Sequence, residues 1–200
     1  MTADAAKRRR LVVGIAGSSG PQYGIALLRT LHSLASIETH LVLSKGAIRT
    51  IELEAGLDPA DVCGLADVVH DAEDLAAPIS SGSFLTIGMV VAPCSMKTLA
   101  AIAHGYSDSL LSRAADVTLK ERRTLVLVTR ETPLSLVHLR NMVAVTEAGA
   151  TVLPPMPAFY HHPQSIDDLV AQTVGKVLDQ FGIEHRTFRR WGEAELAGEQ

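Results

Sequence analysis

Short unbroken apolar runs, rich in β-branched residues and leucine, recur along the chain, and between them the apolar positions change to a helical spacing. Runs at 11–15, 39–43, 89–92, 124–128 and 151–153 predict strands. The spacing predicts helices at 23–34, 47–55, onward from Met96, 110–122, 135–148 and 165–181. In the last of these, Ile166, Leu169, Val170, Val174, Val177, Leu178 and Phe181 share one face. Ser165 is placed to cap it, and Asp167 and Asp168 stand in the first turn, where the helix dipole favours negative charge. Strands alternating with helices predict the α/β class: a three-layer fold around a mostly parallel, doubly wound sheet. Continuous rather than alternating apolar strands mean that both faces of the sheet are covered. In such folds ligands bind outside the carboxyl ends of the strands, so the residues that follow each strand are the ones to read for chemistry.

Two hundred residues suffice for one such domain and its core. A net charge of −4 argues against a nucleic-acid partner, which calls for a basic face. Four basic residues, Lys7 to Arg10, precede the first strand, and the apolar run behind them is too short for a secretory leader. Residues 1–10 therefore read as a flexible basic tail and 183–200 as a C-terminal tail, around a single domain at 11–182. No stretch is long enough to span a bilayer. Cys63 and Cys94 make no disulfide framework, and no Cys/His group has zinc spacing, so a reduced cytoplasmic setting without a metal is expected.

The first strand ends in Gly14-Ile15-Ala16-Gly17-Ser18-Ser19-Gly20, ahead of a helix. Glycines admit a ligand close to the backbone, and free N–H groups at a helix start suit a phosphate; a tight strand-to-helix turn explains the same residues. The dinucleotide fingerprint is broken by Ala16, and the second strand ends in Ser44-Lys45 rather than in an acid for an adenosine ribose. A mononucleotide phosphate suits this loop better than NAD. After the strand at 89–92 comes Pro93-Cys94-Ser95-Met96-Lys97-Thr98, where Ser95 can cap a helix, contact a ligand, or both. Cys94 reads as a structural thiol. After the strand at 124–128 comes Thr129-Arg130-Glu131-Thr132-Pro133. Arg130 can fork onto a phosphate and Glu131 can move a proton, or the two can be a solvated surface pair. Arg113, Lys120, Arg122 and Arg123 make a basic stretch, either a solvated helix end or a phosphate site. A proline-rich loop, 154–163, fixes Tyr160, and Trp191 is the one tryptophan.

Together these segments, in order over residues 11–182, resemble the UbiX-like flavin prenyltransferases. The resemblance rests on the Gly17–Gly20 loop, Ser44-Lys45, Pro93-Cys94-Ser95-Met96-Lys97-Thr98, Arg113-Ala114-Ala115-Asp116, Leu119-Lys120-Glu121-Arg122, Arg130-Glu131-Thr132-Pro133 and Pro155-Met156-Pro157-Ala158-Phe159-Tyr160. It implies a flavodoxin/Rossmann-like subunit binding FMN, in a homo-oligomer, commonly a dodecamer, with active sites at subunit contacts. It implies transfer of the dimethylallyl group of dimethylallyl phosphate to reduced FMN, with a UbiD-like decarboxylase receiving the product. Gly17, Ser18, Ser19, Ser44, Ser95, Met96, Lys97, Thr98 and Arg130 then hold FMN. Tyr160, Lys176, Lys120, Arg113 and Arg130 hold the donor, and Glu131 and Glu54 are the acid–base candidates, with Lys120 and Tyr160 at the reacting centre. The C-terminal tail becomes a subunit contact. Ser18 replaces an alanine common in relatives, Ile87 a frequent Asp, and Lys176 an Arg found in some. Two other readings stand beside this one: an FMN-binding small subunit of a hydroxyarylic acid decarboxylase complex, without catalysis of its own, and a cysteine-type flavin decarboxylase. Pro155-Met156-Pro157 lacks the asparagine of the latter.

Overall fold

The structure is a computed structural model and describes residues 8–192. Six parallel strands, β1 (Arg9–Ile15), β2 (Ile37–Leu43), β3 (Val68–His70), β4 (Gly88–Cys94), β5 (Thr124–Thr129) and β6 (Thr151–Val152), lie in the order β3-β2-β1-β4-β5-β6. This is the doubly wound Rossmann order, and without the three-residue edge strand β3 it is the flavodoxin order. The helices are α1 (Gln22–His32), α2 (Lys45–Thr50), α3 (Pro59–Cys63), α4 (Met96–Ala103), α5 (Leu110–Lys120), α6 (Leu136–Glu147) and α7 (Ile166–Gln180).

Alternate strand residues feed two cores. Leu11, Val13 and Ile15 face α1 and α7 with Val90, Val126, Leu28, Val174 and Leu178. Val12, Met89, Val91 and Leu127 face α4 and α5 with Leu99, Leu110 and Leu111. Sheets covered on both sides in this way need the continuous apolar runs seen in the sequence.

Several expectations change. The first strand begins at Arg9, inside the stretch read as a tail, because Arg9 and Arg10 pair with Ile37 and Glu38 of β2 and the Arg10 guanidinium meets the Glu38 carboxylate at 3.0 Å. Residues 1–7 and 193–200 of the two expected tails lie outside the described residues. The helix expected at 47–55 is α2 followed by a π-turn, Ile51–Ala55. The helix expected to reach residue 122 stops at Lys120, since Arg122 takes a left-handed conformation with φ of 54°. β3 and α3 had no counterpart in the reading of the sequence. Among the described residues no helix is long and apolar enough to cross a membrane.

Candidate active site

At the carboxyl edge of the sheet, the loops after β1, β2 and β4 converge on a cleft of about 540 Å³. Gly17, Ser44, Ser95, Lys97 and Thr98 line it together. The β1 and β2 loops touch glycine to glycine, since a Cβ on Gly17 would stand 2.7 Å from Gly46 Cα. Backbone is thus exposed where any side chain would fill the cradle. Ser44 caps α2 by accepting the Ala47 N–H at 3.1 Å. Ser95 caps α4, accepting the Thr98 N–H at 3.3 Å and donating to Thr98 Oγ1 at 3.1 Å. Both serines therefore serve as caps and as cleft wall. Met96 opens α4 beside them.

Ser18 Oγ is shut away from solvent without a hydrogen-bond partner among the described residues. A buried hydroxyl in that state is costly unless something else meets it. Thr129 Oγ1, at the end of β5, is in the same condition. Next to Ser18, the Ser19 hydroxyl donates to Glu54 Oε2 at 3.0 Å, and the Gly20 N–H reaches the same oxygen at 2.9 Å. The π-turn that carries Glu54 thereby brings a carboxylate onto the loop; such turns often re-aim a side chain at a functional site.

Arg130 and Glu131 follow β5 at the same edge. The Arg130 N–H donates to the Cys94 carbonyl at 3.1 Å, tying the two strand ends together. Burial pushes the Tyr23 phenol up, and the Arg130 charge partly offsets that rise. The Glu131 side chain is exposed and accepts the Thr132 N–H at 3.0 Å. Cys94 is wholly buried, and burial alone pushes its thiol up to about 12, so it is inert as a nucleophile.

The remaining candidates do not join this cleft within one chain. Tyr160 lies in the β6–α7 loop, its ring 5.4 Å from His161 and 5.5 Å from Trp191. Lys176 is on α7, 3.6 Å from Asp179. Arg113 bonds Asp116 at 2.6 Å and the Ser80 carbonyl at 3.2 Å. Lys120 ends α5 just before β5 begins, which puts it at the amino edge of the sheet, opposite the cleft, where it pairs with Glu121 at 2.5 Å. The basic cluster of Lys120, Arg130 and Lys176 expected from the sequence is therefore not assembled by a single chain: helix-to-strand turns and strand-to-helix turns lie at opposite edges of a parallel sheet.

Reading the sequence missed the far wall of the cleft, formed by Ala72, Glu73, Asp108, Ser109 and Ser112, and the rim pair Lys45–Glu73 at 3.4 Å. The one available signal was Ser109-Leu110-Leu111-Ser112, a reciprocal capping box opening α5.

A glycine cradle, serine-capped helix starts and a buried hydroxyl without a partner together suit the phosphate of a mononucleotide. The family model described as Flavoprotein matches residues 2–178 of the chain. The flavin prenyltransferase UbiX of Escherichia coli (strain K12) is 58% identical over 185 residues, covering 92% of this chain and 98% of that protein. The crystal structure of AnUbiX (PadA1) in complex with FMN and dimethylallyl pyrophosphate shares a TM-score of 0.91 at 56% identity, over 93% of this chain and 98% of that one. A dodecameric FMN-dependent UbiX-like decarboxylase from Escherichia coli O157:H7 gives 0.89 at 56% identity, over 91% and 98%. With matches of this extent falling on the cleft just described, the chain belongs to the flavoprotein family and, within it, to the UbiX flavin prenyltransferases.

Proposed function

We propose that this protein transfers the dimethylallyl group of a dimethylallyl phosphate ester to N5 and C6 of reduced FMN, and that the product serves a UbiD-like decarboxylase. The observation that carries this reading is the Gly17–Gly46 cradle, followed directly by Ser18 with its buried hydroxyl unpaired among the described residues, by the Ser19–Glu54 contact, and by Arg130–Glu131 at the same edge of the sheet. Reduced FMN would supply the two nucleophilic ring positions. Gly17, Ser18, Ser19, Ser44, Ser95, Met96, Lys97, Thr98 and Arg130 would hold it, the unpaired Ser18 hydroxyl donating to its phosphate.

In the transfer the allylic C–O bond would break and the phosphate leave with the electron pair as N5 bonds that carbon and gives up its proton. A proton would then add to the central carbon of the remaining C=C bond, C6 would bond the tertiary carbon so formed, and loss of the C6 proton would restore the ring. Negative charge grows on the phosphate, so cations aimed at it lower the barrier. Arg130, at the carboxyl end of β5, would be one such cation. Lys120 would complete the site from a neighbouring copy of the chain, because it lies at the opposite edge of its own subunit, and Lys176, Arg113 and Tyr160, which do not line the cleft of their own chain, would join it there. Glu131 and Glu54 would take and return the protons. The test is anaerobic incubation of the protein with reduced FMN and dimethylallyl monophosphate or diphosphate, followed by mass analysis of the released flavin. The expected product carries one added prenyl unit, and unchanged FMN with both donors would overturn the proposal.

A further inference from the structure

Beyond the cleft, α7 carries a side-chain cluster that none of these roles uses. Asp179, near its end, receives both terminal nitrogens of Arg190, at 2.7 and 3.1 Å, and His185 Nε2 at 3.0 Å. The His185 tautomer follows from its other nitrogen. The Thr187 N–H points at Nδ1 from 3.3 Å, and the Thr187 hydroxyl lies 2.9 Å from it, so Nδ1 accepts and Nε2–H donates to Asp179. The His185 side chain is only 2% exposed.

The chain after α7 is pressed onto the helix at one more place. A Cβ on Gly175 would overlap Thr187 Oγ1 and the Phe188 ring. Ile183, buried, anchors the start of the same segment. Fastened in this way, residues 183–192 form a strap that turns back toward the β6–α7 loop. There Arg189, Arg190 and Trp191 form one wall of a pocket of about 140 Å³, and Tyr160, His161 and His162 form the other. Both ring nitrogens of His161 are shut from solvent with no partner among the described residues, so a polar demand in this pocket is unmet.

We propose that Asp179 is a positioning residue for the prenyl donor: by clasping His185 and Arg190 it holds the strap against α7 and sets the pocket wall opposite Tyr160. The inference rests on the reading of Tyr160 as a donor contact. The same carboxylate lies 3.6 Å from Lys176 and so orients both the strap and the lysine. Asp179 touches neither donor nor flavin on this account and acts through the groups it holds.

Trp191 is the only tryptophan of the chain, so its fluorescence reports the strap directly. Asp179→Asn removes the charge of the clasp. Gly175→Ala lifts the strap while leaving Asp179 and Lys176 intact, and it keeps the idea testable should the first variant fold poorly. In the flavin-free oligomer, both variants should lower Trp191 anisotropy. In turnover, both should raise KM for dimethylallyl phosphate on the order of tenfold. The Kd for FMN should stay within about twofold, because the Gly17 cradle is untouched. Unchanged anisotropy, a lowered anisotropy with an unchanged donor KM, or equal losses of donor and FMN affinity would each overturn the positioning role. If Tyr160→Phe leaves donor KM unchanged while Asp179→Asn raises it, the reading of Tyr160 fails and the clasp stands.

Discussion

Two single residues carry the most specific claims. Glu131 follows β5, exposed at the carboxyl edge of the sheet, and its carboxylate accepts a local bond from the Thr132 N–H. Glu131→Gln keeps the shape and removes the base. FMN affinity should be unchanged, and single-turnover prenylation should slow by about a hundredfold, the usual scale for one acid–base group. A wild-type rate would move the proton to Glu54, which already sits on Ser19. Ser18 makes a prediction of opposite signs. Its hydroxyl is buried without a partner, so Ser18→Ala removes an unmet polar group and should leave the protein equally or more stable to urea. The same change deletes a donor to an ionised phosphate, worth about 1.5–3 kcal/mol, so FMN should bind at least about tenfold more weakly. Loss of stability together with unchanged FMN affinity would mean that Ser18 only shapes the turn.

At the scale of elements, what could be read from the sequence depended on burial. β1, β4 and β5 announced themselves as apolar runs because both faces are covered. β3 did not: it is three residues at the sheet edge, half-exposed, and no periodicity can develop over that length. The polar start of β1 was hidden for another reason. Arg10 is held in the strand by Glu38 across from it and by the Phe84 ring 4.4 Å from its guanidinium, long-range contacts that no local pattern encodes. The cleft residues after β1, β2 and β4 were legible because a parallel sheet gathers its carboxyl-end loops. Lys120 and the clasp at Asp179 were not, since their partners are fixed by tertiary packing. The edge of the sheet also makes a prediction about acid. Burial would raise the Asp67 carboxyl, but Arg8 and the N–H and hydroxyl of Thr39 outweigh it and hold it at about 2. A depressed carboxyl contributes stability above its unfolded pKa and loses it as pH falls toward the folded value. After discounting for solvent at this partly exposed site, about 1 kcal/mol should separate wild type from Asp67→Asn near neutral pH. Urea midpoints should show that gap closing between about pH 5 and pH 2, and a gap independent of pH would show that the charge contributes nothing.

The whole molecule, taken as one chain, leaves its surface and its site unfinished. Along α6 and the turn before it, Leu134, Leu136, Val137, Leu139 and Val143 are exposed, with Val137 at 62%. Large apolar residues exposed together along one helix call for cover. The dodecamer formed by the relative from Escherichia coli O157:H7 shows that this fold can build large assemblies. Light scattering at micromolar concentration should therefore report a large homo-oligomer, and a monomer would remove the basis for a shared site. The sharper test asks whether subunits complete one another. Lys120 is at the amino edge and Glu131 at the carboxyl edge of the same sheet, so one copy cannot readily present both to one donor. Lys120→Ala and Glu131→Gln, each alone, should prenylate FMN slowly. Co-expressed with different tags and isolated as doubly tagged oligomers, they should regain activity. A site that draws Glu131 from a Lys120→Ala subunit and Lys120 from a Glu131→Gln subunit is intact, and random mixing in a closed assembly makes roughly a quarter of the sites so. Activity near that fraction of wild type would establish that Lys120 serves the site of a neighbouring subunit. Mixed oligomers no faster than the separate variants would show that Lys120 acts, if at all, within its own chain.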